Sequence, residues 1–131
     1  MTMWRILAFR SISGRRPLDE WQENLEDESF IAFSVLLEHM RVSPRDLWKR
    51  PFFDVLHGEE YRGMGEIRFK GDNKRHRVYG WFGPKRLQFV LLHGCVKQRS
   101  RMRREEQTAK TRRDLVIERG EDCLYDFTLS G

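Results

Sequence analysis

The stretch that decides the fold is residues 66–97, EIRFKGDNKRHRVYGWFGPKRLQFVLLHGCVK. It contains Asp72-Asn73, a favourable pair for a two-residue turn, between two runs rich in β-branched and aromatic residues. This arrangement is typical of a β-hairpin. We therefore predict two antiparallel strands on either side of Asp72-Asn73.

The turn also sets the register of the two strands. Counting outward from Gly71 and Lys74 pairs Lys70 with Arg75, Arg68 with Arg77 and Glu66 with Tyr79. Because side chains alternate across a strand, these three pairs share one face of the hairpin, and the other face holds Ile67, Phe69, His76 and Val78. We expect the second face to be buried and the charged face to stay outside the core.

Arg68 and Arg77 would stand directly opposite each other on the charged face. A like-charge pair across two strands is destabilising, by up to about 1 kcal/mol. A bound polyanion would turn this repulsion into attraction, which favours a surface that binds RNA. The alternative is a solvated face on which Glu66 and water separate the charges.

A second hairpin is predicted near Gly83-Pro84. It would pair the strand from Arg75 to Phe82 with a strand from Arg86 to His93. Residues 89–92 are continuously apolar, which is typical of a strand buried on both faces. We therefore expect a three-stranded antiparallel meander whose last strand lies in the centre of the sheet.

A strand and two helices are predicted before the meander. Residues 4–9 are short, apolar and rich in strand formers. Pro17 is suited to begin a helix with the apolar stripe Leu18, Trp21 and Leu25. A second helix is predicted from Glu28 to Arg41, where apolar residues again recur at helical spacing. These stripes indicate that the helical hairpin covers the sheet.

The segments that flank these elements are less regular. Residues 44–61 are predicted to be a partly packed connection in which apolar residues such as Phe52 and Phe53 serve as anchors. The last helix is predicted from Arg103 to Arg119, with a pair between Glu106 and Lys110. Its apolar stripe of Met102, Ala109 and Val116 is thin, so we expect the helix to be loosely docked. Residues 120–131 would be either a flexible tail or a short strand.

Together these elements predict one α+β domain over residues 1–131. It would contain an N-terminal strand, a helical hairpin packed on a small and mainly antiparallel sheet, and a basic C-terminal helix. A chain of 131 residues with 39% hydrophobic content is suited to a single core.

The charge of the chain favours an anionic partner. The net charge is +5 and the pI is about 9.6, with the cationic excess concentrated after Arg62. This asymmetry favours nucleic acid over acidic lipid. We assign contacts with RNA phosphates to seven basic residues: Lys70, Lys74, Arg75, Arg99, Arg101, Arg103 and Arg104.

The sequence also indicates a compartment and a type of chemistry. No apolar run approaches the ~20 residues of a membrane span, and the N-terminus lacks the features of a signal peptide, so a cytoplasmic protein without membrane contact is expected. Cys95 and Cys123 lie far apart and are expected to be free thiols. His93 and Cys95 have no further ligand at suitable spacing, so neither a metal nor a cofactor is predicted.

Four segments occur in an order that resembles the phage-derived, HigB-like branch of the RelE/HigB toxin superfamily. They are EIRFK, HRVYGWF, FVLLHGCVKQ and the helical segment Ala109-Lys110-Thr111-Arg112-Arg113, and the resemblance extends from about Pro17 to Arg119. It implies a RelE-like fold and the toxin of a type II toxin–antitoxin module. Such a toxin is an mRNA interferase, an endoribonuclease that cuts messenger RNA on the ribosome until a cognate helix-turn-helix antitoxin neutralises it.

The resemblance also implies site residues. The strand arginines of the family correspond to Arg68 and Arg77, its basic strand-end position to Lys97, and the histidine of its LLH motif to His93. The chain departs from the family pattern in three places. Gln98 replaces a second lysine, residues 101–104 replace a proline before the last helix, and no tyrosine follows the strand end.

Cleavage of RNA without a metal requires activation of the 2′-hydroxyl, stabilisation of charge on the phosphoryl oxygens and protonation of the leaving 5′-oxygen. Arg68 and Arg77 are suited to the second task. Candidates for proton transfer are Lys97, His93, Tyr79 and, if the tail folds back, Tyr125. His93 would face the core opposite His76, which is also consistent with a structural histidine, and Tyr79 with a cap on an exposed face. DNA would not be a substrate, since it lacks the 2′-hydroxyl.

Two other classes of function are consistent with the same residues. A basic sheet binds RNA whether or not it cuts, so the chain could be a non-catalytic RNA-binding module. It could also be a protein-interaction module whose basic face docks an acidic antitoxin or phage partner. The oligomeric state is left open by the sequence.

Overall fold

The computed structural model describes residues 3–130, which form three α-helices and a six-stranded sheet. The strands are β1 (Arg5–Phe9), β2 (Phe53–Val55), β3 (Met64–Gly71), β4 (Lys74–Phe82), β5 (Gln88–Val96) and β6 (Leu124–Asp126). The helices are α1 (Pro17–Glu23), α2 (Asp27–Arg41) and α3 (Arg103–Arg119). Short 3-10 turns occupy Arg45–Leu47, Glu59–Tyr61 and Gly120–Cys123.

The strands lie in the order β2-β3-β4-β5-β1-β6. All neighbours are antiparallel except β1 and β5, which are parallel. The predicted α+β class and the central position of the last meander strand are thus confirmed. Among residues 3–130, no helix combines the length and apolar character needed to cross a bilayer.

The register of the first hairpin is confirmed. Arg68 lies opposite Arg77 and Glu66 opposite Tyr79. At the turn, Asp72 and Asn73 have φ angles of 54° and 58°. Positive φ at both central residues is the backbone geometry that matches the twist of the flanking strands, and Asn and Asp tolerate it better than other residues with a Cβ.

A β-bulge in β5 overturns the predicted orientation of His93. Tyr79 pairs with His93 but the next residue, Gly80, pairs with Leu91, so Leu92 is an extra residue in the ladder. A bulge of this kind reverses the alternation of side chains beyond it. His93 therefore lies beside Tyr79, and the prediction that it faces His76 was wrong.

The helices α1 and α2 cover one face of the sheet, as predicted. Leu18, Phe33 and Leu37 are buried in a cluster with Ile67 and Val78. The second helix is amphipathic and its buried side chains include Phe33, Leu37 and Met40. The apolar face of the hairpin thus supplies one side of the core.

The other face is covered by α3, which corrects two predictions. Ala109 and Val116 pack with a cluster that includes Tyr79, so Tyr79 is only 1% exposed and the charged face is partly buried. The helix is not loosely docked, because the buried guanidinium of Arg113 donates to the carbonyl oxygens of Glu60 (2.8 Å) and Arg62 (3.0 Å). The thin apolar stripe is thus supplemented by polar contacts.

The predicted pair between Glu106 and Lys110 is also absent from the ion pairs of residues 3–130. Glu106 contacts Arg101 instead (3.3 Å), and Lys110 contacts Asp114 (2.9 Å). Glu106 lies in the first turn of α3, where a carboxylate is favoured by the helix dipole, and Arg101 lies two residues before the helix.

Two short strands complete the sheet. The segment predicted to be a connection contains β2, in which Phe53 pairs with Ile67 of β3. This strand was not predicted because its three residues are too few to show an alternating pattern. Of the two alternatives for the tail, the strand is the one observed, since β6 pairs with β1. Residues 1, 2 and 131 of the predicted domain lie outside the described residues.

Candidate nucleic-acid interface

Four basic side chains of the central hairpin line one cleft. Arg68 and Lys70 come from β3, and Arg75 and Arg77 come from β4. They share one face because of the alternation and register described above. Together with residues 51–52 at the start of the neighbouring strand, they enclose about 450 Å³.

The opposed arginines in this cleft are separated by carboxylates. Arg68 Nη2 lies 2.6 Å from Glu66 Oε1 and 3.4 Å from Asp54 Oδ2. Arg77 Nε lies 4.0 Å from the same oxygen of Glu66. Glu66 therefore offsets the like-charge repulsion, as the alternative interpretation of the sequence expected. The repulsion alone no longer requires a bound polyanion.

Lys70 and Arg75 supply the surplus positive charge. Both side chains are exposed, and neither takes part in the ion pairs found among residues 3–130. Lys74 belongs to the opposite face, where it contacts Glu26 of the helical side (2.9 Å). Because of the alternation of side chains, Lys74 lies outside the cleft, and its predicted contact with phosphate stays a prediction.

Arg77 is the most restrained cation of the cleft. It is 7% exposed, and Nη1 donates to the backbone carbonyl oxygen of His76 (3.0 Å). Burial lowers the pKa of its guanidinium from the ordinary value, although arginine remains charged at physiological pH. Among the ion pairs of residues 3–130, Arg77 has just the long one to Glu66, and a fixed cation of this kind is well suited to hold a phosphate oxygen.

The basic surface continues past the end of β5. The backbone N–H of Lys97 donates to the carbonyl oxygen of Arg75 (2.7 Å), which brings Lys97 beside the cleft. Beyond it, a second cleft of about 630 Å³ is lined by several of the predicted phosphate contacts, namely Arg99, Arg101, Arg103 and Arg104. The structure thus gathers these four residues at the start of α3.

His93 lies beneath α3, outside both clefts. Its Nε2 is 3.3 Å from Glu105 Oε1, and its Nδ1 is 3.4 Å from Arg112 Nη1. Burial lowers the pKa of His93 despite the nearby Glu105 carboxylate. Arg112 is fixed in turn, since the same nitrogen donates to the carbonyl oxygen of Leu92 (2.8 Å).

Neither of the two tyrosines considered for proton transfer lines the cleft. Burial raises the pKa of Tyr79, which packs in the apolar cluster under α3. Tyr125 lies on β6, at the opposite edge of the sheet from β2. Its hydroxyl donates to Asp19 (2.8 Å), and burial raises its pKa. The tail does fold back, but it does not bring Tyr125 to the arginines.

One cluster of possible metal donors was missed by sequence reasoning. Ligand atoms of His93, Cys95 and Glu105 lie within 4.8 Å of one another, and α3 supplies the glutamate that spacing alone did not suggest. Burial raises the pKa of Cys95 to about 12, which disfavours its thiolate. A metal-bound histidine normally donates its other ring N–H to an acceptor, but here the cationic Arg112 faces that nitrogen. The cluster is therefore better suited to hydrogen bonding than to a metal.

Comparison with known proteins gives one match. Residues 20–114 match the family described as Phage derived protein Gp49-like (DUF891), a toxin-like family related to RelE and HigB. No curated protein and no solved structure matches the chain. The matched segment extends from α1 to α3 and includes both walls of the arginine cleft. Since it covers more than half of the 131 residues, the chain belongs to the Gp49-like family of phage-derived proteins.

Proposed function

We propose that the protein is the toxin of a type II toxin–antitoxin module and that it cleaves ribosome-bound messenger RNA without a metal. The observation that carries the proposal is the cleft of Arg68, Lys70, Arg75 and Arg77, together with the second basic cleft at the start of α3. Membership of a toxin-like family supports it. The fold would be RelE-like, and the protein would act in the cytoplasm until a helix-turn-helix antitoxin binds it.

The burial of the four cleft cations suggests different roles for them. Arg77 is buried and fixed, so it would hold the phosphoryl oxygens as negative charge develops on them. Arg68 would add a second guanidinium from the opposite strand. Lys70 and Arg75 are exposed and would position the flanking phosphates.

Proton transfer is assigned here to Lys97. Its backbone N–H donates to the carbonyl oxygen of the cleft residue Arg75, whereas His93 and Tyr79 lie under α3. The 2′-hydroxyl would give its proton to solvent water as its oxygen bonds to the phosphorus, and Lys97 would protonate the 5′-oxygen as its bond to phosphorus breaks, which leaves a 2′,3′-cyclic phosphate. His93 and Tyr79 would then act on the structure of the site and not on the substrate.

A second candidate function is RNA binding without turnover. The specific observation in its favour is the lining of the arginine cleft, whose polar side chains are cationic and include no histidine, while the carboxylates that contact Arg68 lie outside that lining. A protein-interaction module is a further possibility, since the same cations would bind an acidic partner. Cleavage assays distinguish these functions.

The test is inducible expression in bacteria without the antitoxin, with growth and transcript 5′-ends followed together. The wild type should arrest growth and produce new cuts within coding regions. Arg77→Ala should remove both effects, because loss of one phosphate-stabilising donor costs on the order of a hundredfold in rate. Arg119→Ala, which removes an exposed arginine remote from the cleft, should behave as wild type.

Arg77 is buried, so its loss could also affect folding. Arg75→Ala, at an exposed position of the same cleft, separates the two effects and should weaken cleavage while the circular dichroism spectrum stays unchanged. Normal growth and intact transcripts with the wild-type protein would contradict the proposal. In that case, retained affinity for RNA would establish the binding module.

A further inference from the structure

One aromatic side chain differs from the others in its exposure to solvent. Phe52 is 55% exposed, and among residues 3–130 it is the single Phe, Tyr or Trp in the exposed class. The sequence predicted Phe52 and Phe53 to be anchors of a connecting segment. Only Phe53 is buried, because it takes the inward position at the start of β2 and the residue before it must point the other way.

The exposed ring lies in the arginine cleft. Phe52 and Pro51 form the apolar side of the cleft, opposite four cations of β3 and β4. The backbone of Phe52 is held in place, since its carbonyl oxygen accepts from the N–H of Arg68 (2.8 Å) and its N–H donates to the carbonyl oxygen of Lys49 (3.2 Å). The ring is thus carried by a segment that is bonded directly to a cleft arginine.

We infer that Phe52 is a stacking platform for a nucleobase of single-stranded RNA whose phosphates lie on the cleft cations. An aromatic ring beside a row of cations is the arrangement with which proteins bind single-stranded nucleic acid, since each base offers a flat face and each phosphate a negative charge. The cleft volume of about 450 Å³ is within the range of ligand pockets, ~300–1,000 Å³. The inference deepens the proposed function and rests on RNA being the ligand.

The site would have a defined specificity. Bases in a duplex are stacked on each other, so the ring would select single-stranded RNA over double-stranded RNA. Stacking accepts any base, and the exposed ring offers no polar atom to distinguish them. The platform would therefore hold one unpaired base beside the phosphate on Arg77, without choosing its identity.

The experiment measures binding of a short single-stranded RNA in which one base is 2-aminopurine, whose fluorescence is quenched by stacking. All its riboses carry 2′-O-methyl groups, so that the RNA cannot be cleaved. Wild type should bind and quench. Phe52→Ala should bind about tenfold more weakly or worse and should lose the quenching, as expected for the loss of one stacked base.

Two variants serve as controls. Phe52→Trp should retain both binding and quenching, because it keeps an aromatic face. Leu47→Ala should behave as wild type, since Leu47 is exposed to a similar degree (52%) but does not line the cleft. An unchanged circular dichroism spectrum of Phe52→Ala would exclude a folding defect.

The outcomes separate the inference from the proposed function. If Phe52→Ala binds and quenches like the wild type, the platform is wrong while RNA binding stands. If the wild type binds no RNA but binds polyglutamate, and Phe52→Ala weakens that binding, the cleft serves an acidic protein partner and the inference is overturned. Growth arrest and transcript cuts, measured separately, decide whether the protein is a nuclease.

Discussion

At the scale of single residues, the carboxylate of Glu66 reduces the net positive charge of the cleft. Its carboxylate lies between Arg68 and Arg77, contacts the former at 2.6 Å and is largely buried. The glutamate thus stabilises the folded protein, and it would at the same time weaken the proposed binding of phosphate in the cleft. Stability and binding should therefore respond in opposite directions when it is neutralised.

Glu66→Gln should destabilise the protein by about 1–3 kcal/mol, since a partly buried guanidinium loses its charged partner. Binding of single-stranded RNA should tighten, and the slope of log Kobs against log salt should become more negative by about 0.7, because one more phosphate is neutralised. Urea unfolding and fluorescence anisotropy at several salt concentrations measure the two effects. Glu118→Gln, at an exposed position of α3, is the matched control. An unchanged salt slope would show that RNA phosphates do not reach Arg68.

Residue positions in the first hairpin were predictable because local rules decide them. The Asp72-Asn73 turn sets the register, and alternation then assigns Arg68 and Arg77 to one face. His93 was not predictable in the same way. The bulge at Leu92 has no strong local sequence signal, and it reverses the face of every later residue in β5.

At the scale of elements, the start of α2 is fastened to the hairpin turn. Asp72 Oδ2 accepts from the backbone N–H (3.0 Å) and the hydroxyl (2.7 Å) of Ser29, in the first turn of the helix. The hydroxyl bond of Ser29 lowers the pKa of Asp72. Gly71 permits this close approach, because a Cβ there would lie 2.5 Å from the Cα of Ser29.

Ser29→Ala should destabilise the protein by about 1–3 kcal/mol, since it removes the hydroxyl that contacts Asp72 and His76 Nε2 in a buried position. Ser34→Ala in the same helix should cost less, because that hydroxyl donates only to the carbonyl oxygen of Phe30 within the helix. Chemical unfolding of the two variants makes the comparison. Equal losses would mean that the contact between helix and turn adds nothing to stability.

The elements also show which parts of the fold can be predicted from sequence patterns. The last helix begins and ends at the predicted residues, Arg103 and Arg119, and the helical hairpin covers the sheet as its stripes indicate. The strand β2 has three residues and offers no period to detect. The firm docking of α3 depends on Arg113 and two distant carbonyl groups, which only the folded chain brings together.

At the scale of the whole molecule, the helices on the two faces of the sheet each cover a histidine, of which His76 is buried and His93 partly buried. His76 lies under α2, where Ser29, Asp72 and Lys74 face it, and His93 lies under α3 between Glu105 and Arg112. Burial is the main cause that lowers the pKa of both side chains. Protonation of either ring is therefore less favourable in the folded protein than in the unfolded chain.

The stability of the protein should accordingly depend on pH below neutrality. Unfolded histidine has a pKa of about 6.5, so below that pH the unfolded chain binds more protons than the folded protein and stability falls. Above about pH 6.5 this contribution is fully present. The carboxylates whose pKa values are lowered, such as Asp54 and Asp114, lose their contribution only at more acidic pH.

Urea unfolding should therefore show that the free energy of unfolding falls between pH 7.5 and pH 5. This fall should be smaller in His93→Gln and smaller again in the double variant with His76→Gln. His57→Gln, at an exposed position, should keep the full decline. The slope against pH is the decisive quantity, because each substitution also removes contacts and lowers stability at every pH. An undiminished slope in the double variant would mean that the two faces of the sheet do not hold their histidines neutral, and that the acid response has its origin elsewhere in the fold.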